Sequence, residues 1–148
     1  MKNKGFSMVE LIIVIAVMAI LAGFLAPALI RYINKSRLST DIDTARNLAT
    51  AISAAAVSDN ARDSAVDHNT PQNIKDMDGQ AFKDEVSAIM PIDEIVGKAQ
   101  KDVNGDPLDQ NFYYTLDPAK NKVEVYYGGT TDDYKVYPVT GSKLLQQD

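Results

Sequence analysis

A run of twenty residues, Leu11 to Ile30, carries no charged or amide side chain, and it limits this chain more than anything else in it. As an α-helix rising about 1.5 Å per residue, such a run is roughly 30 Å long, the hydrocarbon thickness of a bilayer. A soluble core helix is apolar along one stripe only, so the run reads as a membrane span. Glu10 stands at its edge with no basic side chain within one helical turn. A carboxylate there is either hydrated at the headgroup level or kept for a cation brought from elsewhere. A cleavable secretory signal with Ala26-Pro27-Ala28 as its small-residue site is the rival reading. The run is longer than such a segment needs, and Glu10 would interrupt its start. Basic residues do not decide the orientation, because Lys2 and Lys4 precede the run while Arg31, Lys35 and Arg37 follow it.

Within the run, Gly23 and Pro27 are four apart. Proline cannot donate to the Gly23 carbonyl and crowds it, which makes a weak point; a static kink is the plainer alternative. Beyond the run, Leu38, Ile42, Ala45, Ala49, Ile52 and Ala56 recur every three or four residues, so the helix continues as an amphipathic one to about Val57, with Asp41, Asp43, Arg46 and Asn47 mostly off the apolar face. A coiled-coil seam competes, but alanine fills half of these positions. Ser58 to Asn73 is polar and reads as a surface loop. Gly79 to Met90 suits a short helix with Asp78 as N-cap and Phe82, Val86, Ile89 and Met90 inward. Asn111–Leu116, Lys122–Tyr127 and Tyr134–Val139 are rich in Val and Tyr and read as an antiparallel meander, with Phe112, Tyr114, Leu116, Val123, Val125 and Tyr127 toward the long helix. Six of the seven tyrosines fall there. Core packing accounts for most of them, and an exposed adhesive face is the alternative.

Lys2-Asn3-Lys4-Gly5 followed by Phe6-Ser7-Met8-Val9-Glu10-Leu11 resembles the class III signal of type IV pilins and their pseudopilin relatives. The resemblance covers about the first 55 residues. It implies cleavage by a membrane prepilin peptidase between Gly5 and Phe6, methylation of the new Phe6 amine, and Glu10 as the fifth residue of the mature chain. The freed ammonium would then be the missing partner of Glu10 on a neighbouring helix. At 4 Å two unit charges are worth about 4 kcal/mol at an effective dielectric of 20, against a desolvation cost of similar size, so such a pair sets register more than stability. A pair within one subunit is the weaker alternative. In assembled pili of this family the segment matching Gly23 to Pro27 is able to lose helicity, which would let a filament stretch.

The resemblance implies an α+β pilin fold: a long N-terminal helix on a small three- to four-stranded antiparallel sheet. The expected divisions are a leader (1–5), a transmembrane and filament-core helix (6–30), the amphipathic half of the same helix (31–58) and a head (59–148). The implied function is a filament subunit for adhesion, motility or attachment; a pseudopilin of type II secretion or DNA uptake and a lone membrane-tethered module remain the alternatives. Implied partners are other copies, the peptidase, an assembly ATPase, a platform membrane protein and the cytoplasmic membrane, with an extracellular pilus as the final location.

The formal net charge of −5 becomes −7 if Lys2 and Lys4 leave with the leader, and an acidic head does not favour nucleic acid. The chain has no cysteine, which excludes disulfides and thiolate metal sites. Many Gram-negative type IV pilins carry a C-terminal disulfide, so the absence points toward a Gram-positive bacterial source. Asp102, Asn104 and Asp106 place oxygen ligands at alternate positions, a weak calcium signal. An EF-hand loop would need glycine and glutamate where Pro107 and Tyr113 stand, and Asn104-Gly105 is more simply a tight turn. The stretch through Tyr114 loosely resembles a pseudopilin region near which some members bind calcium. No other cofactor is expected. His68 reads as a solvated surface histidine, Asp84-Glu85 and Asp132-Asp133 as surface charges, and the tail Gly141–Asp148 as a frayed end or subunit contact, so the chain is expected to be structural and not an enzyme.

Overall fold

The computed structural model describes residues 6–144. The leader with Gly5, and residues 145–148 of the tail, lie outside the described residues. Helix α1 (Met8–Val57) is followed by β1 (His68–Asn73), α2 (Gln80–Ile89), β2 (Phe112–Asp117), β3 (Lys122–Tyr127) and β4 (Lys135–Tyr137), with single 3-10 turns between several of them. The chain divides between Ile33 and Asn34 into two units.

In the first unit every residue from Phe6 to Ile33 is exposed. The helix passes unbroken through Pro27, and there is open space around Gly23. In the second unit the rest of α1 lies under the sheet. All six residues of the apolar stripe are buried, from Leu38 to Ala56, and Leu48, Ala51 and Ala55 join them. Alanines there let the sheet come close, and the helix's own hydroxyls are satisfied locally: Thr40, Thr44, Thr50 and Ser53 each donate to the carbonyl four residues back. The exception on this face is Asp41, placed off it by the periodicity and in fact only 2% exposed.

The sheet is antiparallel in the order β1-β2-β3-β4. Phe112 pairs with Tyr127, Tyr114 with Val125 and Leu116 with Val123, and all six side chains are buried against α1. The Phe112 and Tyr127 rings lie 4.8 Å apart. β1, in the segment expected to be a loop, is an edge strand without apolar alternation. Pro71 lies within it where the register shifts, as suits a residue that cannot donate to a ladder. Beyond the opposite edge, Pro138 follows β4 directly, and proline at both edges discourages edge-to-edge pairing.

Helix α2 differs from expectation at both ends. Gly79 at φ 81° is its N-cap and makes no side-chain cap bond; a Cβ there would lie 1.9 Å from the Ser64 carbonyl oxygen, so glycine is required and Asp78 is left outside. Phe82 and Val86 are buried, Met90 packs against the core, and Ile89 is exposed. Of the tyrosines, Tyr114, Tyr126 and Tyr127 are buried, Tyr137 is exposed, and Tyr134 sits in a 3-10 turn ahead of β4.

Candidate assembly site

The helix start is built by a reciprocal cap. Ser7 Oγ accepts from the Val9 amide at 3.3 Å, and Glu10 Oε2 accepts from the Ser7 amide at 2.8 Å. The first helical bond runs from Leu11 N to Ser7 O. This is a capping box, in which the third helical residue reaches back to the cap residue's own amide. Within one subunit the partner of Glu10 is therefore its own backbone. The Ser-x-x-Glu spacing ahead of an apolar run carries that signal in the sequence, where the charge of Glu10 alone gives Ser7 no role. Phe6, at 86% exposure, precedes the helix.

The head is organised around the segment 97–110. Asp41 Oδ2 accepts from the Lys98 and Ala99 amides at 2.8 and 2.7 Å. One helical repeat earlier, Asn34 donates to the Lys101 carbonyl and accepts from the Gln100 amide. Two side chains seven residues apart thus hold an extended strip of backbone along the helix, and the Tyr127 hydroxyl donates to the Ala99 carbonyl from the sheet side. Burial, reinforced by Asp41, raises the Tyr127 pKa. Gly97 is fitted under that ring, where a Cβ would lie 2.3 Å from it.

The calcium candidates are spent on other contacts. Asp102 Oδ1 accepts from the Asn104 and Asp106 amides, and Gly105, at φ 92°, closes a turn onto the Asp102 carbonyl. Asp102 Oδ2 and Asp106 Oδ2 face the Lys143 ammonium at 3.2 and 2.6 Å. Calcium takes six to eight oxygens; here the two carboxylates converge on an ammonium, so the residues present do not fit a calcium ion. Among the described residues no group of three acidic, histidine or cysteine side chains is placed to hold a metal.

The other titratable candidates also have structural partners. His68 is not solvated: its side chain is 13% exposed, lies edge-on to Tyr114 and holds Nε2 3.6 Å from Asp78. Asp84 accepts from Gln80, Glu85 from Ser58, and Asp133 from Ser142, while Asp132 pairs with Lys135. The tail is not frayed as far as it is described, since Leu144 is fully buried.

An exposed apolar helix with an acidic cap, ahead of an α+β head, is the arrangement of a membrane-anchored protein. Comparison with known proteins gives the family. A family model described as the prokaryotic N-terminal methylation motif matches residues 1–26. The type IV major fimbrial protein FimA of Dichelobacter nodosus is 30% identical over 150 residues, covering 97% of this chain and 78% of that protein. A second protein of that name from the same organism is 30% identical over 145 residues, and a fimbrial protein from it 29% over 150. No solved structure matches significantly. The chain belongs to the type IV fimbrial proteins, the type IV pilins, and is a pilin subunit bearing the class III signal.

Proposed function

We propose that this pilin is cut between Gly5 and Phe6 by a prepilin peptidase, methylated at Phe6, held in the cytoplasmic membrane by the single span and extruded into an extracellular pilus by an assembly ATPase and a platform protein. The role is structural, and the fimbrial relatives favour a pilus subunit over a pseudopilin. The observation that carries this reading is the contrast along α1: nothing from Phe6 to Ile33 is buried, whereas the head has a complete core from Leu38 onward. Twenty-odd exposed apolar residues need lipid first and neighbouring helices afterwards. Leader removal turns the Phe6 nitrogen into an ammonium, and Glu10 exchanges its bond to Ser7 N for that cation on a neighbouring subunit. Gly23 and Pro27 are the segment that loosens when helices pack into the filament; the unbroken helix is the form before assembly.

Two substitutions separate the charge of Glu10 from its capping. Glu10→Val removes both; Glu10→Gln keeps an acceptor at the third helical position and loses only the charge. Both variants should insert into the membrane, and both should fail to give sheared surface filaments. Filaments from the Gln variant would leave Glu10 with the cap alone. Intact mass of the wild-type protein from the sheared fraction should correspond to a chain starting at Phe6 with one added methyl.

A further inference from the structure

One end of the head is basic, and the fold assembles it from two stretches far apart in the chain. Between Glu10 and Asp41 there is no Asp or Glu, and Lys35 and Arg37 are exposed on α1 just beyond the apolar run. Asn34 and Asp41 hold the backbone of residues 98–101 along that same part of the helix. This brings in Lys98 and Lys101, whose side chains are also exposed. The carboxylates on these elements are already engaged, Asp41 by two amides, Asp43 by Arg46, and Asp102 and Asp106 by Lys143. Among the described residues no carboxylate pairs with Arg37, Lys98 or Lys101. In a chain of net charge −5, the cations of this end are left to an outside anion.

We propose that this surface docks on the anionic phospholipid headgroups of the membrane that the span crosses, an inference that rests on the reading of Leu11 to Ile30 as that span. Asp41 stands eleven residues beyond Ile30 in the same helix, about 17 Å along its axis. Lysine and arginine stems are long enough to carry their charges part of that way back to the headgroups. Each cation near an anionic lipid surface strengthens attachment about fivefold, within a Debye length of about 8 Å at physiological salt. Headgroup phosphates are the one anionic surface whose place the span itself fixes. A second copy also offers an acidic head, but nothing within this chain fixes where that head lies. The orientation proposed above gives a second reason, because basic residues on the outer side of a span oppose the usual inside-positive bias and so need a use of their own. Docking holds the head down on the bilayer, and extraction into a filament has to break it.

The test is the full chain reconstituted in bilayers with spin-labelled phosphatidylglycerol or phosphatidylcholine, reading the relative association of the two lipids from their motionally restricted fractions. The wild type should prefer phosphatidylglycerol, and the preference should shrink at about 1 M salt, where the Debye length is about 3 Å. The double variant Lys98→Gln, Lys101→Gln should insert as before and lose a factor of about five for each lysine that reaches the headgroups. Lys98→Arg with Lys101→Arg should keep the preference. A wild type that inserts but prefers neither lipid overturns the docking and leaves the span standing, whereas a wild type that inserts in neither lipid overturns both. An undiminished preference in the Gln variant means that the lysines of the strip do not reach lipid. If that variant also no longer yields surface filaments, the surface belongs to a second copy instead, and the proposal falls.

Discussion

Asp41 sits at 2% exposure on the apolar face of α1, a place where an unpaired carboxylate would cost several kcal/mol. It is tolerated because Oδ2 accepts from two backbone amides of the loop, those of Lys98 and Ala99. Asp41→Ala should therefore lower stability by about 2–4 kcal/mol, since bonds to a charged group are worth roughly 1.5–3 kcal/mol and the substitution leaves one buried and one part-buried donor without this acceptor. Denaturant unfolding in detergent measures it, and a loss under about 1 kcal/mol would show that the strip 98–101 finds other partners. The periodicity of Leu38 to Ala56 predicted six apolar members of this face, all of them buried, yet it placed Asp41 outside. Period assigns polar residues to solvent, and only the loop brought back from sixty residues downstream gives this one a reason to face inward. Glu10 teaches the same lesson in reverse: its spacing from Ser7 was local and readable, and the cap it makes needed no tertiary structure.

At the scale of elements, the sheet carries most of what a pH change would act on. On its outer face Glu124 is partly buried, which alone would raise its pKa; the Tyr126 hydroxyl and the Lys135 and Lys122 ammonium groups hold it below the usual value. Burial first, and Glu124 second, push Tyr126 up to about 12. A lowered carboxyl contributes stability that is present in full above the unfolded pKa, about 4.3, and is lost as pH falls through the folded value. Glu124→Gln should accordingly lose less stability than the wild type between pH 5 and about pH 3, read as Tm against pH; parallel curves would remove the role given to these bonds. β2 and β3 were legible because large apolar residues recur at every second position, Phe112, Tyr114 and Leu116 in one and Val123, Val125 and Tyr127 in the other. β1 was not: His68-Asn69-Thr70-Pro71-Gln72-Asn73 has no alternation, and it becomes a strand because β2 offers an unpaired edge. The N-terminus of α2 was misread for a similar reason. Asp78 is a good capping residue, but the close approach of Ser64 fixes a positive φ at Gly79, so the helix starts one residue later.

Over the whole molecule the two units differ in what they need. The core cluster begins at Leu38 and ends at Leu144, so a chain of residues 34–148 should be soluble, monomeric and cooperatively folded, melting within a few degrees of the full chain in detergent. A fragment that melts without cooperativity would mean that the first helix supports the head after all. The sequence by itself determined the span, the leader motif, the long helix with its buried stripe and the central hairpin of the sheet. Each of these rests on local chemistry: run length against bilayer thickness, a 3.6-residue or two-residue period, a cap four residues long. Only the tertiary structure decided that Asp41 is a buried clamp, that His68 lies against Tyr114, that an edge strand exists at 68–73, and that Lys143 answers Asp102 and Asp106. Those features join residues roughly 40 to 60 positions apart, and what joins them is the requirement that a buried charge or an open strand edge find its partner somewhere in the chain.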